Sequence, residues 1–193
     1  MARITRNGQS LQVVIPTEIR DRYGYEAGMD VEFMPQEGGP QLRRVTPEPS
    51  VSTIVYTIGY EGRSINDFLH ELKIRKVKQL IDVRQLAFSR KPGFSKTALK
   101  SNLEAAGITY RHIPALGSPS DIRHVYKEGG SLDSFMDEYS TYLDTQIDAY
   151  DMLRAFVLSK PSVLMCFEKV PTMCHREILA ERLLKEGFRL THI

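Results

Sequence analysis

From residue 53 onward, short apolar runs alternate with stretches of helical periodicity, and that alternation most narrows the folds open to this chain. Thr53–Ile58, Gln79–Val83, Ile108–Ile113, Ser162–Phe167 and Phe188–Ile193 read as strands. Between them the pattern predicts helices. Ser64 caps the first, with Asp67 as its capping-box partner, and that helix runs to about Lys73. Lys96–Ala106 is a second, stopped by Gly107; Leu132–Leu143, Ile147–Leu158 and Cys174–Lys185 are the others. Gly117 to Gly130, rich in Gly, Ser and Pro, reads as a connection. Repeated β and α units imply a mostly parallel sheet with helices on its faces, an α/β sandwich over residues 53–193. In such sheets ligands bind beyond the carboxyl ends of the strands.

The first 45 residues follow another plan. Leu11–Ile15 is a β-type run stopped by Pro16, Thr17 can cap a two-turn helix through Tyr23, and Gly24 can end it. Asp30–Met34 and Gln41–Val45 read as strands around a Gly38-Gly39 turn. The order is strand, strand, short helix, strand, turn, strand. A unit this small buries too little apolar surface to be stable alone, so it is expected to dimerise. Residues 46–52, Thr-Pro-Glu-Pro-Ser-Val-Ser, form a linker.

The run Arg3-Ile-Thr-Arg-Asn-Gly-Gln-Ser-Leu-Gln-Val-Val-Ile-Pro-Thr-Glu-Ile-Arg-Asp-Arg-Tyr-Gly24, with Gly28-Met-Asp-Val-Glu-Phe33, resembles the AbrB/MazE (SpoVT-AbrB) swapped-hairpin module. The resemblance implies an intertwined homodimer through residues 1–45 that binds DNA through basic sites near the first two strands and the helix. Arg3, Arg6, Gln12, Arg20 and Arg22 mark those sites here; Gln12 stands where many members carry arginine, and Asp21 where a second arginine is common.

Charge distribution adds a second candidate surface. Residues 1–45 carry six Arg against six acids, so that segment is neutral. Residues 83–103 carry Arg84, Arg90, Lys91, Lys96 and Lys100 with no acid, which suits an anionic ligand or a solvated basic face. At 41% apolar and 26% charged residues the chain can bury a core and is not disordered. No apolar run is long enough for a membrane span, no apolar leader opens the chain, and Cys166 and Cys174 read as reduced thiols. A cytoplasmic protein without membrane partners is expected.

Three strand ends carry the polar residues that chemistry needs. The first is followed by Gly59-Tyr60-Glu61-Gly62-Arg63-Ser64, and the second ends in Asp82-Val83-Arg84 before the loop Ser89-Arg90-Lys91-Pro92-Gly93-Phe94-Ser95. The fourth runs through Cys166-Phe167-Glu168-Lys169-Val170-Pro171-Thr172-Met173-Cys174-His175-Arg176. A helix starting at Cys174 would offer unpaired N–H groups to an anion, with Arg176 as a donor fork and His175 titrating near neutrality. A thiol there would lean toward thiolate. Three readings of this segment stand side by side: a buried Cys174 with Arg176 paired to Glu168 or Asp82, an anion site, or a nucleophilic Cys174.

Several alternatives fail on spacing. One Cys/His cluster without a second pair is a weak zinc signal, so neither metal nor cofactor is expected. A zinc deaminase would need His-x-Glu and Pro-Cys-x-x-Cys, which are absent. Leu80-Ile-Asp-Val-Arg84 is similar to a rhodanese segment, but a rhodanese Cys loop closes on Arg after about five residues, and here Arg176 follows Cys174 by two. There is no Walker loop and no Gly-x-Gly-x-x-Gly.

Taken together, Thr57-Ile-Gly-Tyr-Glu-Gly-Arg-Ser64, Asp82-Val-Arg84, Ser89-Arg-Lys-Pro-Gly-Phe-Ser-Lys96, Tyr110-Arg-His-Ile-Pro-Ala-Leu-Gly117 and the Cys166–Arg176 motif resemble the family known as domain of unknown function 488. That resemblance implies an α/β fold with the motifs at one edge, and no particular reaction. The expectation is a DNA-binding homodimer whose second domain binds, and can process, a phosphate-bearing ligand, nucleotide or nucleic acid. Glu61, Glu168, Cys174 and His175 are the candidate catalytic residues; Arg63, Asp82, Arg84, Arg90, Lys91 and Arg176 are the candidate ligand-binding ones. The alternatives are a non-catalytic or antitoxin-like regulator with an anion-sensing domain, and a thiol-dependent enzyme unrelated to nucleic acid.

Overall fold

The computed structural model describes residues 3–7, 10–23, 25, 31–35, 41–44 and 53–193. The chain divides into two compact units, Met1–Pro47 and Glu48–Ile193. In the first, β1 (Arg3–Asn7) pairs antiparallel with β2 (Ser10–Val14), α1 (Thr17–Tyr23) follows, and β3 (Val31–Met34) pairs antiparallel with β4 (Gln41–Arg44). The expected helix stop at Gly24, the Gly28 step, the Gly38-Gly39 turn and the linker over 46–52 lie outside the described residues.

The second unit is built on a parallel sheet. Its strands are β5 (Ile54–Gly59), β6 (Gln79–Asp82), β7 (Thr109–His112), β8 (Ser162–Cys166) and β9 (Arg189–His192), in the order β7-β6-β8-β5-β9. Every pairing in it is parallel. The side-chain period of two sorts the strand residues onto two cores. Val55, Ile81, Leu164 and Cys166 belong to one, with Tyr139 and Leu143 of α5 (Leu132–Asp144), Leu153 and Phe156 of α6 (Ile147–Ser159), and Leu179 and Leu183 of α7 (Arg176–Lys185). Ile58, Leu80, Val163 and Met165 belong to the other, with Phe68 and Leu72 of α2 (Ile65–Ile74) and Leu99 and Leu103 of α3 (Lys96–Ala105). The expected α/β sandwich is the observed architecture.

Local signals set most boundaries. Ser64 caps α2 by accepting the Asp67 N–H at 3.1 Å, and Gly107, at φ +72°, takes the left-handed turn after α3. Two expectations fail. A helix, α4 (Ser120–Lys127), lies inside the Gly117–Gly130 stretch, where Pro119 and Gly129-Gly130 at its ends masked two turns of helix. Helix α7 begins at Arg176 rather than Cys174, because Cys174 is extended (φ −138°, ψ 137°) after a 3-10 turn over Pro171–Met173. Among the described residues, no helix is long and apolar enough to cross a membrane.

Candidate active site at the carboxyl edge of the sheet

The ends of β5, β6 and β8 lie side by side because β8 pairs with both of the others. Beyond them opens a cleft of about 720 Å³. Its floor contains Cys166, Glu168, Cys174 and His175; Arg90, Arg123 and Lys127 stand along it, with Leu86, Phe88, Tyr126, Phe135, Phe167, Val170 and Met173 as apolar walls. Close backbone approach shapes this edge. A Cβ on Gly59 would collide with the Glu168 carbonyl, and one on Gly117 would collide with the Gln85 backbone.

The β8–α7 segment folds back over β5. Glu61 N–H donates to the Phe167 carbonyl at 2.9 Å, and Glu61 Oε2 accepts the Lys169 N–H at 2.9 Å. Arg176, 1% exposed, donates from Nη1 to the Glu168 carbonyl and from Nη2 to the Lys169 carbonyl at 3.1 Å. This corrects the anion reading of Arg176: its fork is occupied by main-chain oxygens and braces the loop. The expected trap of free N–H groups is altered too, since the Cys174 N–H donates to the Pro171 carbonyl at 2.9 Å.

Asp82 and Arg84 also differ from expectation. Asp82 is fully buried, and both its oxygens accept from Arg84, at 2.8 and 2.6 Å. Arg84 Nη1 donates to Tyr60 Oη at 3.0 Å and to the Phe94 carbonyl at 3.1 Å, and Tyr110 Oη donates to Asp82 at 2.7 Å. Burial opposes the charge on Arg84, but the bonds and charge of Asp82, joined by Tyr60, hold the guanidinium above its ordinary value. Arg84 reaches the cleft lining, but its guanidinium is held mainly by Asp82, Tyr60 and the Phe94 carbonyl, so the pair acts first as an internal support of the cleft.

The other expected residues divide. Glu61, Arg90, Glu168, Cys174 and His175 line the cleft; Arg63 and Lys91 are not among its lining residues, and Lys91 Nζ donates to the Tyr60 carbonyl at 3.0 Å. Arg123 and Lys127 come from α4, which the sequence pattern did not reveal, so the basic loop over 83–103 supplies only part of the cationic lining. Cys166 stands at the end of β8, and that position brings its Sγ to 3.8 Å from His175 Nδ1. In the N-terminal unit Arg20 pairs with Asp21 at 3.2 Å, while the side chains of Arg3, Arg6, Gln12 and Arg22 lie outside the described residues.

At the floor, His175 Nε2 lies 2.9 Å from the Val83 carbonyl. A carbonyl only accepts, so Nε2 carries the hydrogen and, in the neutral ring, Nδ1 presents a lone pair. That Nδ1 lies 3.8 Å from Cys166 Sγ and 4.0 Å from Cys174 Sγ. The Tyr139 ring packs edge-on against the imidazole at 5.0 Å and fixes its plane. Cys166 Sγ donates to Glu168 Oε2 at 3.3 Å. Burial pushes the Cys174 thiol up, with Cys166 acting the same way, so Cys174 is the reverse of the low-pKa thiol expected at a helix start. For Glu168, burial acts upward, but hydrogen bonds from Cys174, its own N–H and Cys166, with His175 nearby, hold the carboxyl below its usual value. For His175, burial acts downward and is outweighed by Cys174, the Val83 carbonyl and Glu168, which raise it.

Residues 64–183, more than half of the chain and the stretch of this domain from the Ser64 cap into α7, match the family described as Domain of unknown function DUF488. The chain belongs to the DUF488 family. No curated protein and no solved structure matches it. The matched segment of this DUF488 protein includes β6, β8 and the 174–176 step, so the clustered thiols and imidazole lie within the family's region.

Proposed function

We propose that the strand-end cleft is the reactive centre of a thiol-dependent enzyme acting on a phosphate-bearing ligand, with a nucleotide as the fitting class. One observation carries this reading: two thiols, an imidazole of fixed tautomer and a carboxylate share one cleft with the cations Arg90, Arg123 and Lys127. The cations suit phosphate, and the walls around Phe88, Tyr126 and Phe167 suit a planar apolar group beside it. Glu168 is the proton-handling group, His175 faces both thiols through Nδ1, and Glu61 lines the same cleft. Titration of the full chain with inorganic phosphate and with a nucleotide panel, followed by product analysis, tests this directly. Turnover that survives in the Cys166→Ser/Cys174→Ser variant removes the thiols from the mechanism, and absence of any phosphate binding removes the ligand class.

In the same proposal the N-terminal unit is a homodimerising, DNA-binding module of the AbrB/MazE type. Its order of hairpin, short helix and hairpin supports that, as do the exposed apolar side chains Val13, Val14, Ile19, Val31 and Met34, which a second copy would cover. Light scattering should return about twice the monomer mass. DNA affinity should fall steeply with salt and drop in the Arg3→Ala/Arg6→Ala/Arg20→Ala variant.

A further inference from the structure

We infer that Cys166, Cys174 and His175 form a site for one thiophilic divalent ion, with zinc as the fitting metal and its fourth position opening to the cleft beside Glu168. The inference builds on the reading of the cleft above and says what its thiols do. Three observations support it. The two Sγ atoms and an imidazole nitrogen all lie within 4.8 Å of one another, and all three residues are buried. In a tetrahedral zinc site with Zn–S of about 2.3 Å and Zn–N of about 2.0 Å, ligand atoms stand roughly 3.5–3.8 Å apart. The sulfur–nitrogen separations of 3.8 and 4.0 Å are near that spacing, so small side-chain movements would close the site.

The second observation is the histidine. Its Nε2–H is already committed to the Val83 carbonyl, which leaves Nδ1 as a lone pair aimed at the thiols. A ring nitrogen tied to a backbone carbonyl while the other faces a soft-ligand pair is how metal-bound histidines are oriented. The third is access. The residues line an open cleft, so an ion has a path in, and the protons released from the thiols have a path out. Glu168 Oε2, 3.3 Å from Cys166 Sγ, stands beside the remaining position, where a water or a ligand oxygen would complete the shell. Spacing in the sequence conceals this site, because the ligands come from one strand end and one loop end rather than from two paired motifs.

The test uses the full chain and the metal alone. Protein loaded with zinc and freed of excess should hold about one ion per chain by elemental analysis. The cobalt-loaded form should show intense visible bands of a tetrahedral ion and a near-ultraviolet sulfur-to-cobalt transition. In the Cys166→Ser/Cys174→Ser variant both signals should fall at least about tenfold while the far-ultraviolet dichroism is kept. If that variant fails to fold, Cys166→Ser alone carries the comparison. Wild-type protein that retains only trace metal, or serine variants that load like wild type, would overturn the site. Phosphate binding is measured separately on the same samples. Its loss with metal uptake intact counts against the proposed function, whereas phosphate binding without metal uptake counts against the metal site alone.

Discussion

The guanidinium of Arg84 closes on both carboxylate oxygens of Asp82, two residues before it, and neither side chain is more than 5% exposed. A bidentate pair at such depth holds only while its remaining polar atoms are met, and Tyr60, Tyr110 and the Phe94 carbonyl meet them. Arg84→Ala strands a buried carboxylate and should cost about 3–5 kcal/mol in urea unfolding. Asp82→Asn combined with Arg84→Met should cost much less. A single variant within ~1 kcal/mol of the parent would contradict the pairing.

Arg176 holds the β8–α7 loop by its two carbonyl contacts. Arg176→Ala leaves those oxygens without their partners, and should lose roughly 1–3 kcal/mol. Arg176→Lys should not recover it, since an ammonium cannot reproduce the planar fork. Faster amide exchange confined to residues 167–175 is the matching local signature. Full stability with loss of phosphate binding would instead return Arg176 to the ligand.

The cationic lining should respond in the opposite way. Arg90→Ala and Lys127→Ala change exposed side chains, so thermal midpoints should hold while phosphate affinity falls by about tenfold for the pair. Arg123→Ala belongs with them, although its Nη2 also donates to Gln85 at 3.3 Å. The losses should shrink as salt rises. Affinity that ignores both the substitutions and the salt would place the anion elsewhere.

Alkaline pH should unfold the domain through its buried phenols. Burial, joined by the Asp82 carboxylate, raises Tyr110 well above its ordinary value; burial and Glu186 do the same for Tyr150. The folded value lies above the unfolded one, so this contribution is complete below pH ~10 and is lost as pH climbs beyond it. Thermal midpoints should therefore decline between about pH 9 and pH 11, and Tyr110→Phe should flatten the decline. An unchanged slope in that variant would remove Tyr110 from the effect.

Periodicity and local chemistry determined the elements. Apolar runs at 53–58, 79–83 and 162–167 became β5, β6 and β8, and Ser64 with Asp67 began α2, because both signals act over a few neighbouring residues. The same alternation placed the polar strand ends at one edge, so Glu61, Arg90, Glu168, Cys174 and His175 were legible as one site. Partner choice was not. An arginine fork fits a phosphate, a carboxylate or two carbonyls equally well, and only the tertiary structure brought Asp82 to Arg84 and the Glu168 and Lys169 carbonyls to Arg176. Helix α4, with Arg123 and Lys127, was hidden because two turns between Pro119 and Gly129 carry too little periodicity to outweigh their breakers. Cys166 joined Cys174 and His175 because β8 ends where the following loop returns across β5. That return depends on the glycine at 59 and the brace from Arg176, and no spacing rule contains it.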